Sequence, residues 1–511
     1  MLFNMLRHLL AAWAHRSSPA PDPEVDSRIQ SMCRPAGFTI STTEKPRMER
    51  QRGEGKPPTP PIEPTNGTPK PKSTMAMLAQ KISTGTEKVE AYFQEKGLPI
   101  PGLDVDSPSD FPQLPDDILR CRREVIQATR ELRDIMVGPR ETIRWMAWDF
   151  MNTQCLQLIN YYGIAKLVPT SGTIPLSELQ AKAALDPINL TRVLRYAMTA
   201  QVFREPTPGH IGHTAASRLL IEDQALQAWV GFNTEDVYPG SAHVLDALRR
   251  FPEATSFLRA GYNVAFDTVD REPMFVTFGK DAARAKRMGQ AMSSLTGGEG
   301  YEVSYLVGAC DLSAEDARGG VLVDVGGSHG FVCADLARRW RNLRFVVQDL
   351  PRTVESAPRP VCADPQCAAR IALEAHDFFD EQPVRGADVY FLRWILHNYS
   401  TPYAARILRN LVPALKPGAR IVVNDQCLGG PAEEEDDRIM RGMDLVMMTL
   451  LNAQEREEED FRRLFEMAGD GFVFKGVTRP KGSRMSIIEA VWKPDEVVNG
   501  PQPRNETSSP C

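Results

Sequence analysis

The spacing of hydrophobic and polar positions changes twice along the chain, and each change predicts a different kind of structure. Most of residues 1–74 are rich in proline, serine, threonine, lysine and glutamate, a composition that buries too little apolar area to fold. From 75 to 310 the apolar residues recur at helical intervals, whereas from 311 to 494 short β-branched runs alternate with helical stretches. The sequence therefore predicts a helical domain (75–310) and an α/β domain (311–494) between disordered ends, 1–74 and 495–511.

Three patterns in the helical domain predict individual helices. A long apolar stripe over Ile143–Tyr162 predicts one helix that packs against another. Leu176–Leu179 opens a short helix, and Asp186 with Pro187 supplies the N-cap and first-turn proline of the next one. The apolar residues of that helix repeat at i, i+3, i+4 and i+7, namely at Leu190, Val193, Leu194 and Ala197.

A predicted hairpin follows these helices. Val202–Arg204 and His210–His213 flank the turn residues Pro206–Gly209. Helix, helix and hairpin is the order of a winged helix, which often binds DNA. Only Arg192 and Arg195 lie on the helix that would enter the groove, and a DNA-binding face normally neutralises more phosphates than two arginines can. We therefore expect a protein–protein or dimerisation element.

The α/β domain is predicted from alternating strands and helices. Between the strands lie two helical stretches, 334–340 and 403–415, and such alternation is typical of an open parallel sheet covered on both faces. The last two runs, Phe472–Val477 and Met485–Trp492, are expected to pair as an antiparallel hairpin at one edge. The four predicted parallel strands are Val321–Val325, Arg344–Gln348, Asp388–Leu392 and Arg420–Asn424.

Charge and composition exclude several classes of protein. A net charge of -6 gives no electrostatic reason to expect nucleic acid or an anionic membrane as a partner. No apolar run reaches the roughly 18–20 residues of a membrane-spanning helix. Met1–Arg16 is apolar and carries two arginines, which is weakly compatible with a mitochondrial presequence or a membrane-surface helix. A cytoplasmic protein is the expectation.

The segment Val323–Gly330 combines glycines with a strand end. Gly326, Gly327 and Gly330 follow the first strand and open a helix, where glycine lets the backbone approach a ligand closely. A dinucleotide fingerprint needs a glycine where Val325 stands, so a dehydrogenase is the weakest of the candidate functions. Asp349 follows at the spacing and strand end where a carboxylate meets ribose hydroxyls. The pattern favours a nucleoside ligand without a pyrophosphate, such as a sulfonium nucleoside.

His397 lies just past the predicted strand Asp388–Leu392, at the rim of a parallel sheet where substrates bind. An imidazole there has a pKa suited to a general base at neutral pH. Asp425 ends the next strand and Glu455 follows the helix 441–451, so both carboxylates could reach the imidazole. Glu455 could equally belong to the solvated charge run that follows it. The acids are spread among strand ends rather than grouped as an oxygen cage, so no metal is expected.

The chain resembles a known family of enzymes in its C-terminal half. The family is that of the plant caffeate and flavonoid O-methyltransferases, and the nearest likeness is to its fungal polyketide branch, the sterigmatocystin O-methyltransferases. The resemblance covers about 143–493 and implies a Rossmann-like, seven-stranded methyltransferase domain preceded by a mainly α winged-helix dimerisation domain. The motifs that carry it occur in family order and read VDVGGSHG, LRFVVQDLP, HDFF, VRGADVYFLRWILHNY, RIVVNDQCL and MDLVMMTLLNAQEREEEDF.

The resemblance implies S-adenosyl-L-methionine as the cofactor and assigns residues to it. Gly326, Gly327 and Gly330 would bound the pocket, with Asp349 on the ribose and Leu350 packing nearby. The other implied cofactor residues are Asp377 and Phe378 at the adenine, and Arg393 in place of a lysine of the plant members.

The resemblance also implies roles at the acceptor side. His397 would be the general base, flanked by Asp425 and Glu455, although Asp425 is shorter than the glutamate of the plant pattern. The implied substrate-pocket residues are Met288, Met292, Met447 and Asn452, whose alternative role is plain helix core. The sequence thus predicts a homodimeric O-methyltransferase acting on a phenolic, polyketide-like small molecule. The alternative is a methyltransferase-like regulatory protein that binds without catalysing.

Overall fold

The computed structural model of the protein describes residues 74–429 and 435–494. The predicted disordered ends and the possible targeting segment therefore lie outside the described residues, except that Thr74 already begins the first helix. No helix in the described ranges is long and apolar enough to cross a membrane.

Helices make up most of the chain before the large sheet. The first two, α1 (Thr74–Lys96) and α2 (Asp116–Val137), pack against each other. A π-helical turn at Asn233–Val237 interrupts the later helices. The remaining helices of this half are α3 (Pro139–Met146), α4 (Phe150–Tyr161), α5 (Ile164–Leu167), α6 (Leu176–Lys182), α7 (Pro187–Met198), α8 (Ala215–Glu222), α9 (Gln224–Phe232), α10 (Tyr238–Ala242), α11 (Val244–Arg250), α12 (Gly261–Ala265), α13 (Met274–Lys280), α14 (Ala282–Thr296), α15 (Val303–Ala309) and α16 (Ser313–Ala317).

The predicted helix over Ile143–Tyr162 is wrong as a single element. The structure contains α3, a turn at 147–149 and α4 instead. Ala147 and Asp149 keep helical dihedral angles, so the chain changes direction without leaving the helical region of backbone space. The apolar spacing continues across this turn, so the sequence of 143–162 has the pattern of a single helix.

The winged-helix arrangement is present. Strand β1 (Ile174–Pro175) joins the hairpin of β2 (Arg204–Thr207) and β3 (His210–Gly212) in the order β1-β3-β2. The Asp186 carboxylate accepts the N–H groups of Ile188 and Asn189, as the predicted N-cap requires. The apolar face of α7 is fully buried in the core of this module. Arg195, one of the two arginines that could contact DNA, instead pairs with Glu205 on β2 at 3.1 Å.

The C-terminal half is built on a seven-stranded sheet with the order β11-β12-β8-β7-β4-β5-β6. The five neighbouring strands from β8 to β6 run parallel to one another. β12 pairs antiparallel with β8, and β11 pairs antiparallel with β12, as expected for the final hairpin. These strands are β4 (Val321–Val325), β5 (Arg344–Asp349), β6 (Ile371–Ala375), β7 (Val389–Arg393), β8 (Arg420–Asp425), β11 (Phe472–Thr478) and β12 (Ser486–Trp492). A separate parallel pair joins β9 (Cys427–Leu428) to β10 (Arg456–Glu457).

Both faces of this sheet are buried because consecutive strand residues enter different cores. On β7, Val389 and Phe391 pack in one hydrophobic cluster, whereas Tyr390 and Leu392 pack in the other. Such a strand reads as a continuous apolar run, which is the pattern of a parallel sheet. The helices of this part of the chain are α17 (Phe331–Arg339), α18 (Pro351–Ser356), α19 (Pro365–Ala368), α20 (Thr401–Leu411), α21 (Glu435–Leu451) and α22 (Glu458–Ala468).

The two halves of the chain are tied together at their junction. Leu306 and Cys310 lie in the core under the sheet, so packing assigns α15 to the C-terminal half although the predicted boundary followed residue 310. Arg122 of α2 pairs with Glu299 at 3.1 Å, just before α15. The observed architecture is the expected α/β fold, with a methyltransferase-type sheet after a helical region.

Candidate active site

The glycine loop after β4 is shaped by close packing. Gly326 and Gly330 have φ angles of +78°, a backbone region that favours glycine. A Cβ built on Gly327 would lie 2.3 Å from the Asp324 carboxyl group, and one on Gly326 would lie 2.5 Å from Ile395 Cδ1. The N–H groups of Gly326 and Gly327 both donate to the carbonyl of Gln348, at 2.8 and 3.0 Å. They are therefore occupied by the sheet rather than directed at a pyrophosphate.

Asp349 ends β5 beside this loop. Its Oδ2 accepts the backbone N–H of Ser328 at 2.9 Å, and its Oδ1 accepts that of Leu350 at 2.8 Å. Burial raises the pKa of Asp349, and the two N–H donors oppose that shift. Each carboxylate oxygen retains a lone pair with which it could accept a ribose hydroxyl. The structure thus places Asp349, the residue predicted to bind the ribose, beside the glycine loop.

Asp324 lies beneath the glycine loop and was not among the predicted site residues. Its side chain is buried, and Oδ2 accepts the thiol of Cys333 at 3.2 Å. Burial raises the pKa of Asp324 to about 7, and the neighbouring Asp349 adds to the shift. The available signal was its place inside the motif VDVGGSHG. A carboxyl group on an otherwise apolar, buried strand is costly, so its presence there indicates a specific role.

The residues predicted at the adenine lie at the end of β6. Phe378 is half-buried, and its ring edge would lie 3.6 Å from a Cβ on Gly326. Asp377 accepts the N–H of Phe379 at 2.9 Å, which orders the turn that carries both residues. This placement is compatible with a base packed against Phe378 at the mouth of the glycine loop.

Arg393 connects the strand ends rather than facing open space. Its guanidinium donates to the Asn424 side chain and, at 2.9 Å, to the carbonyl of Tyr301. Burial lowers the pKa of Arg393 to about 10, while Asp425 and Asp324 oppose the shift. Its predicted contact with the cofactor stays a prediction.

The fit of a nucleoside to this site is supported by the residues themselves. A Cβ on Gly326 or Gly327 would collide with Ile395 or Asp324, so only glycine allows this close packing of the loop. The Ser328 hydroxyl in the same loop is buried without a hydrogen-bond partner among the described residues. Asp349 adds a carboxylate at the same strand ends. No group of three His, Cys, Asp or Glu side chains is placed to bind a metal ion within 74–429 and 435–494.

His397 and Glu455 form a buried pair. Nδ1 of His397 lies 2.8 Å from Glu455 Oε1, and both side chains are almost fully buried. Burial lowers the pKa of His397, but the charge and hydrogen bond of Glu455, helped by Asp425, outweigh it, so the pKa is raised. With Nδ1 held by the carboxylate, Nε2 is the nitrogen left to receive a proton. Glu455 is therefore buried against His397, whereas Glu457, Glu458 and Glu459 are exposed.

Asp425 contacts His397 in a way that the sequence did not predict. Its Oδ2 accepts the backbone N–H of His397 at 3.2 Å and not a ring N–H. Burial raises the pKa of Asp425, with Glu455 adding to the shift and His397 opposing it. The short aspartate side chain thus holds the backbone of the histidine turn, and the imidazole is oriented by Glu455.

Two aromatic residues missed by the sequence analysis complete this side of the site. The Trp394 ring lies 4.8 Å from the imidazole of His397, and the Tyr301 ring lies 5.7 Å from Trp394. Trp394 has a φ of +56°, an unusual conformation for a bulky residue that often marks a functional site. The backbone angle cannot be read from sequence, so only the aromatic type was available as a signal.

The predicted substrate residues lie together in one region. Met288 and Met447 belong to a hydrophobic cluster between the helical half and α21, and Met292 packs against it. Asn452 has a φ of +48° and donates from Nδ2 to the carbonyl of Ser256 at 2.8 Å. These contacts equally fit a helix core, so their role toward the acceptor stays a prediction.

Comparison with known proteins shows the family and the fold of the chain. The family model of the O-methyltransferase domain matches residues 256–472. The chain is 57% identical to the chlorophenol O-methyltransferase of Trichoderma longibrachiatum, covering 82% of this chain and 90% of the relative. It is 35% identical to the O-methyltransferase gsfB of Penicillium aethiopicum, over 83% of this chain and 99% of the relative. The solved structure of OxaC with SAH and oxaline shares the fold at 22% identity, with a TM-score of 0.63, 81% of this chain covered and 100% of that chain.

The sheet, the glycine loop with Asp349 and these relatives define an S-adenosylmethionine-dependent methyltransferase. The chain belongs to the O-methyltransferase family, among the fungal enzymes of secondary metabolism.

Proposed function

We propose that this enzyme methylates a phenolic hydroxyl and uses His397 as the general base. The observation that carries the proposal is the buried His397–Glu455 pair at 2.8 Å, at the strand ends beside the glycine loop. The 57% identical relative is named for chlorophenol, a phenol, which supports the same acceptor class here. The histidine and both acids are present, so nothing favours the inactive regulatory alternative.

The reaction needs little beyond positioning and a proton acceptor. Bound S-adenosylmethionine would supply a methyl group already activated by its sulfonium, with Gly326, Asp349 and Phe378 around the nucleoside. Nε2 of His397 takes the hydroxyl proton as the oxygen becomes the nucleophile, and the Glu455 carboxylate stabilises the imidazolium that results. The Trp394 ring packs 4.8 Å from the imidazole and helps to hold it in place.

The base assignment is tested by His397→Ala. We expect kcat toward a simple phenol to fall by about 10²–10⁴-fold, because general-base assistance is lost. Cofactor affinity measured by calorimetry should stay nearly unchanged, since the glycine loop does not contact the imidazole. A variant with parental kcat would overturn the assignment.

The ionisation state of the acceptor provides a sharper test. Chlorine substituents lower the pKa of a phenol, so a polychlorinated phenol is already largely ionised at neutral pH and needs less help from a base. The loss of kcat in His397→Ala should therefore be large for unsubstituted phenol and small for polychlorinated phenols. An equal loss across the series would mean that His397 does not act by removing the proton.

The acting molecule is proposed to be a homodimer. Support comes from exposed apolar side chains around α3, where Ile143, Met146 and Trp148 are each at least 60% exposed. Contiguous apolar surface of this kind usually marks an interface. The helical half is then the dimerisation domain that the resemblance implies.

A further inference from the structure

Arg456 is among the largest fully buried side chains within the described ranges, at 1% exposure. Its Nη1 donates to the carbonyl of Leu396 at 2.8 Å, and its Nη2 donates to the carbonyl of Tyr399 at 2.7 Å. A buried guanidinium is costly unless its donors are satisfied. Here both terminal nitrogens bind backbone, while Nε has no hydrogen-bond partner among the described residues. The backbone that they bind belongs to the segment that carries His397.

The two carbonyls bracket the short 3₁₀ turn Leu396–Asn398. Arg456 therefore holds the turn at both ends, while Asp425 accepts the N–H of His397 at its centre. Such a turn has few hydrogen bonds of its own, because a 3₁₀ turn closes only i→i+3 pairs. The position of the imidazole thus depends on these external contacts.

The side chains of Glu455 and Arg456, which contact the histidine turn, are placed there together by the path of the chain. Glu455 and Arg456 are adjacent in sequence, and the pairing of β10 with β9 sets Arg456 opposite Cys427, two residues after Asp425. Glu455 binds the imidazole and Arg456 binds the backbone around it. In addition, the N–H of Glu455 donates to Asp444 of α21 at 2.8 Å, which fixes this strand against the helix.

We propose that Arg456 is a positioning residue for methyl transfer, whose guanidinium fixes the Leu396–Tyr399 turn so that His397 meets the acceptor hydroxyl. The inference rests on the proposed role of His397 as the base. Arginine suits this task because its planar fork presents two donors in fixed directions, whereas the ammonium of lysine is a single point with flexible approach. Small displacements of a catalytic group reduce the rate steeply.

The charge of Arg456 adds a second effect. The charged groups that face His397 are Glu455 and Asp425, which raise its pKa, and Arg456, which lowers it. A neutral residue at 456 should therefore raise the pKa of His397 further. Because the base acts in its neutral form, the acid limb of the pH–kcat profile should then move to higher pH.

The first experiment compares Arg456→Met and Arg456→Lys with a matched control, Arg370→Met. Arg370 also donates to backbone carbonyls, the four of Ala337, Trp340, Leu343 and Gln366, but lies away from the histidine turn. We expect kcat to fall about 100-fold in Arg456→Met and about tenfold in Arg456→Lys, with the cofactor Kd within about twofold. Only the Met variant should shift the acid limb. Arg370→Met should lose thermal stability but keep its kcat.

A double-mutant cycle separates positioning from a general structural role. In a His397→Ala background, Arg456→Lys should cause no further loss of kcat, because its effect acts through the missing imidazole. A tenfold loss in both backgrounds would overturn the proposal, as would parental kcat in folded Arg456→Lys. If the Met variant does not fold, the Lys variant carries the test alone. Should His397→Ala itself retain parental kcat, the proposed function fails first, and the two failures are thus distinguishable.

Discussion

At the scale of single residues, burial distinguishes one acid beside His397 from the similar acids that follow it in the sequence. Glu455 and Glu457 are two positions apart, yet Glu455 is buried against His397 while Glu457 is exposed. The carboxylate of Glu455 both orients the ring and raises its pKa. Comparing substitutions at Glu455 and Glu457 therefore measures what the charge of Glu455 contributes to the pKa of His397.

Glu455→Gln should lower kcat and move the acid limb of the pH–kcat profile to lower pH. The amide can still accept the Nδ1–H hydrogen bond, but it no longer stabilises the imidazolium, so the pKa of His397 falls. We expect a loss of about 10–100-fold in kcat, as for a weakened general base. The exposed Glu457→Gln should change neither quantity. An acid limb that stays in place or moves upward in Glu455→Gln would contradict this account.

Asp324 gives a prediction about stability. Its pKa is about 7 in the folded protein because of burial, against about 3.9 in an unfolded chain. Between these values the folded state binds more protons than the unfolded state, so stability falls as pH rises from about 4 to about 7. Asp324→Asn removes this titration. In the cofactor-free protein, Tm of the variant relative to the parent should therefore increase between pH 5 and pH 8, whereas a constant difference would argue against a buried neutral carboxyl.

At the scale of elements, the glycine loop shows how conformation and packing act together. Gly326 and Gly386 both have positive φ angles, +78° and +70°. A Cβ at Gly326 would meet Ile395 at 2.5 Å, whereas one at Gly386 would meet nothing within 4 Å. Gly386 therefore requires glycine only for its backbone angle, whereas Gly326 requires glycine for both its backbone angle and the lack of space for a Cβ.

Gly386→Ala should cost about 1 kcal/mol of stability and leave the cofactor Kd unchanged, since only backbone freedom is involved. Gly326→Ala should cost about 1–3 kcal/mol more through overpacking and weaken cofactor binding at least tenfold. Denaturant unfolding and calorimetric titration measure the two effects. Equal cofactor affinities in the two variants would mean that the loop does not border the cofactor.

Strand prediction also succeeded or failed for reasons at this scale. The predicted bounds of β4, β5, β7 and β8 agree with the structure to within one residue, because these strands are buried on both faces and read as apolar runs. The edge strand β6 was not predicted from its own residues. Its sequence, IALEA, contains two alanines and a glutamate, and only Ile371 is β-branched, so it lacks the usual strand signal.

At the scale of the whole molecule, the exposed apolar side chains around α3 are the surface at which we expect an interface. Trp148 and Met146 are 68% and 60% exposed, and the turn at 147–149 presents both on the same short stretch. Burying such side chains stabilises an interface by their apolar area. In the proposed homodimer this stretch is covered by the second copy.

Met146→Glu with Trp148→Glu should convert the dimer into a monomer. Two buried charges without partners would cost more than the interface can offset. Light scattering should then report half the parental mass. Met467→Glu, which alters a 51% exposed apolar residue on α22, should leave the mass unchanged. A parental mass of one chain, or a double variant that keeps the parental mass, would contradict the assigned surface.

The sequence by itself determined the features that depend on local order and spacing. The alternation of strands and helices fixed the α/β sheet, and the glycines with Asp349 indicated the nucleoside site. Position after a strand was enough to mark His397, because all parallel strands end at one rim of a sheet. The charge balance favoured a protein–protein role over DNA binding for the winged helix, and that expectation stays a prediction.

Only the tertiary structure decided which groups meet across long stretches of chain. It separated Glu455 from its acidic neighbours, gave Asp425 a backbone contact in place of a ring contact, and buried Arg456 against the histidine turn. These partners lie 28 to 60 residues apart in sequence. Side-chain length, burial and the direction of a hydrogen bond are set by the packed fold, and residue spacing carries no information about them.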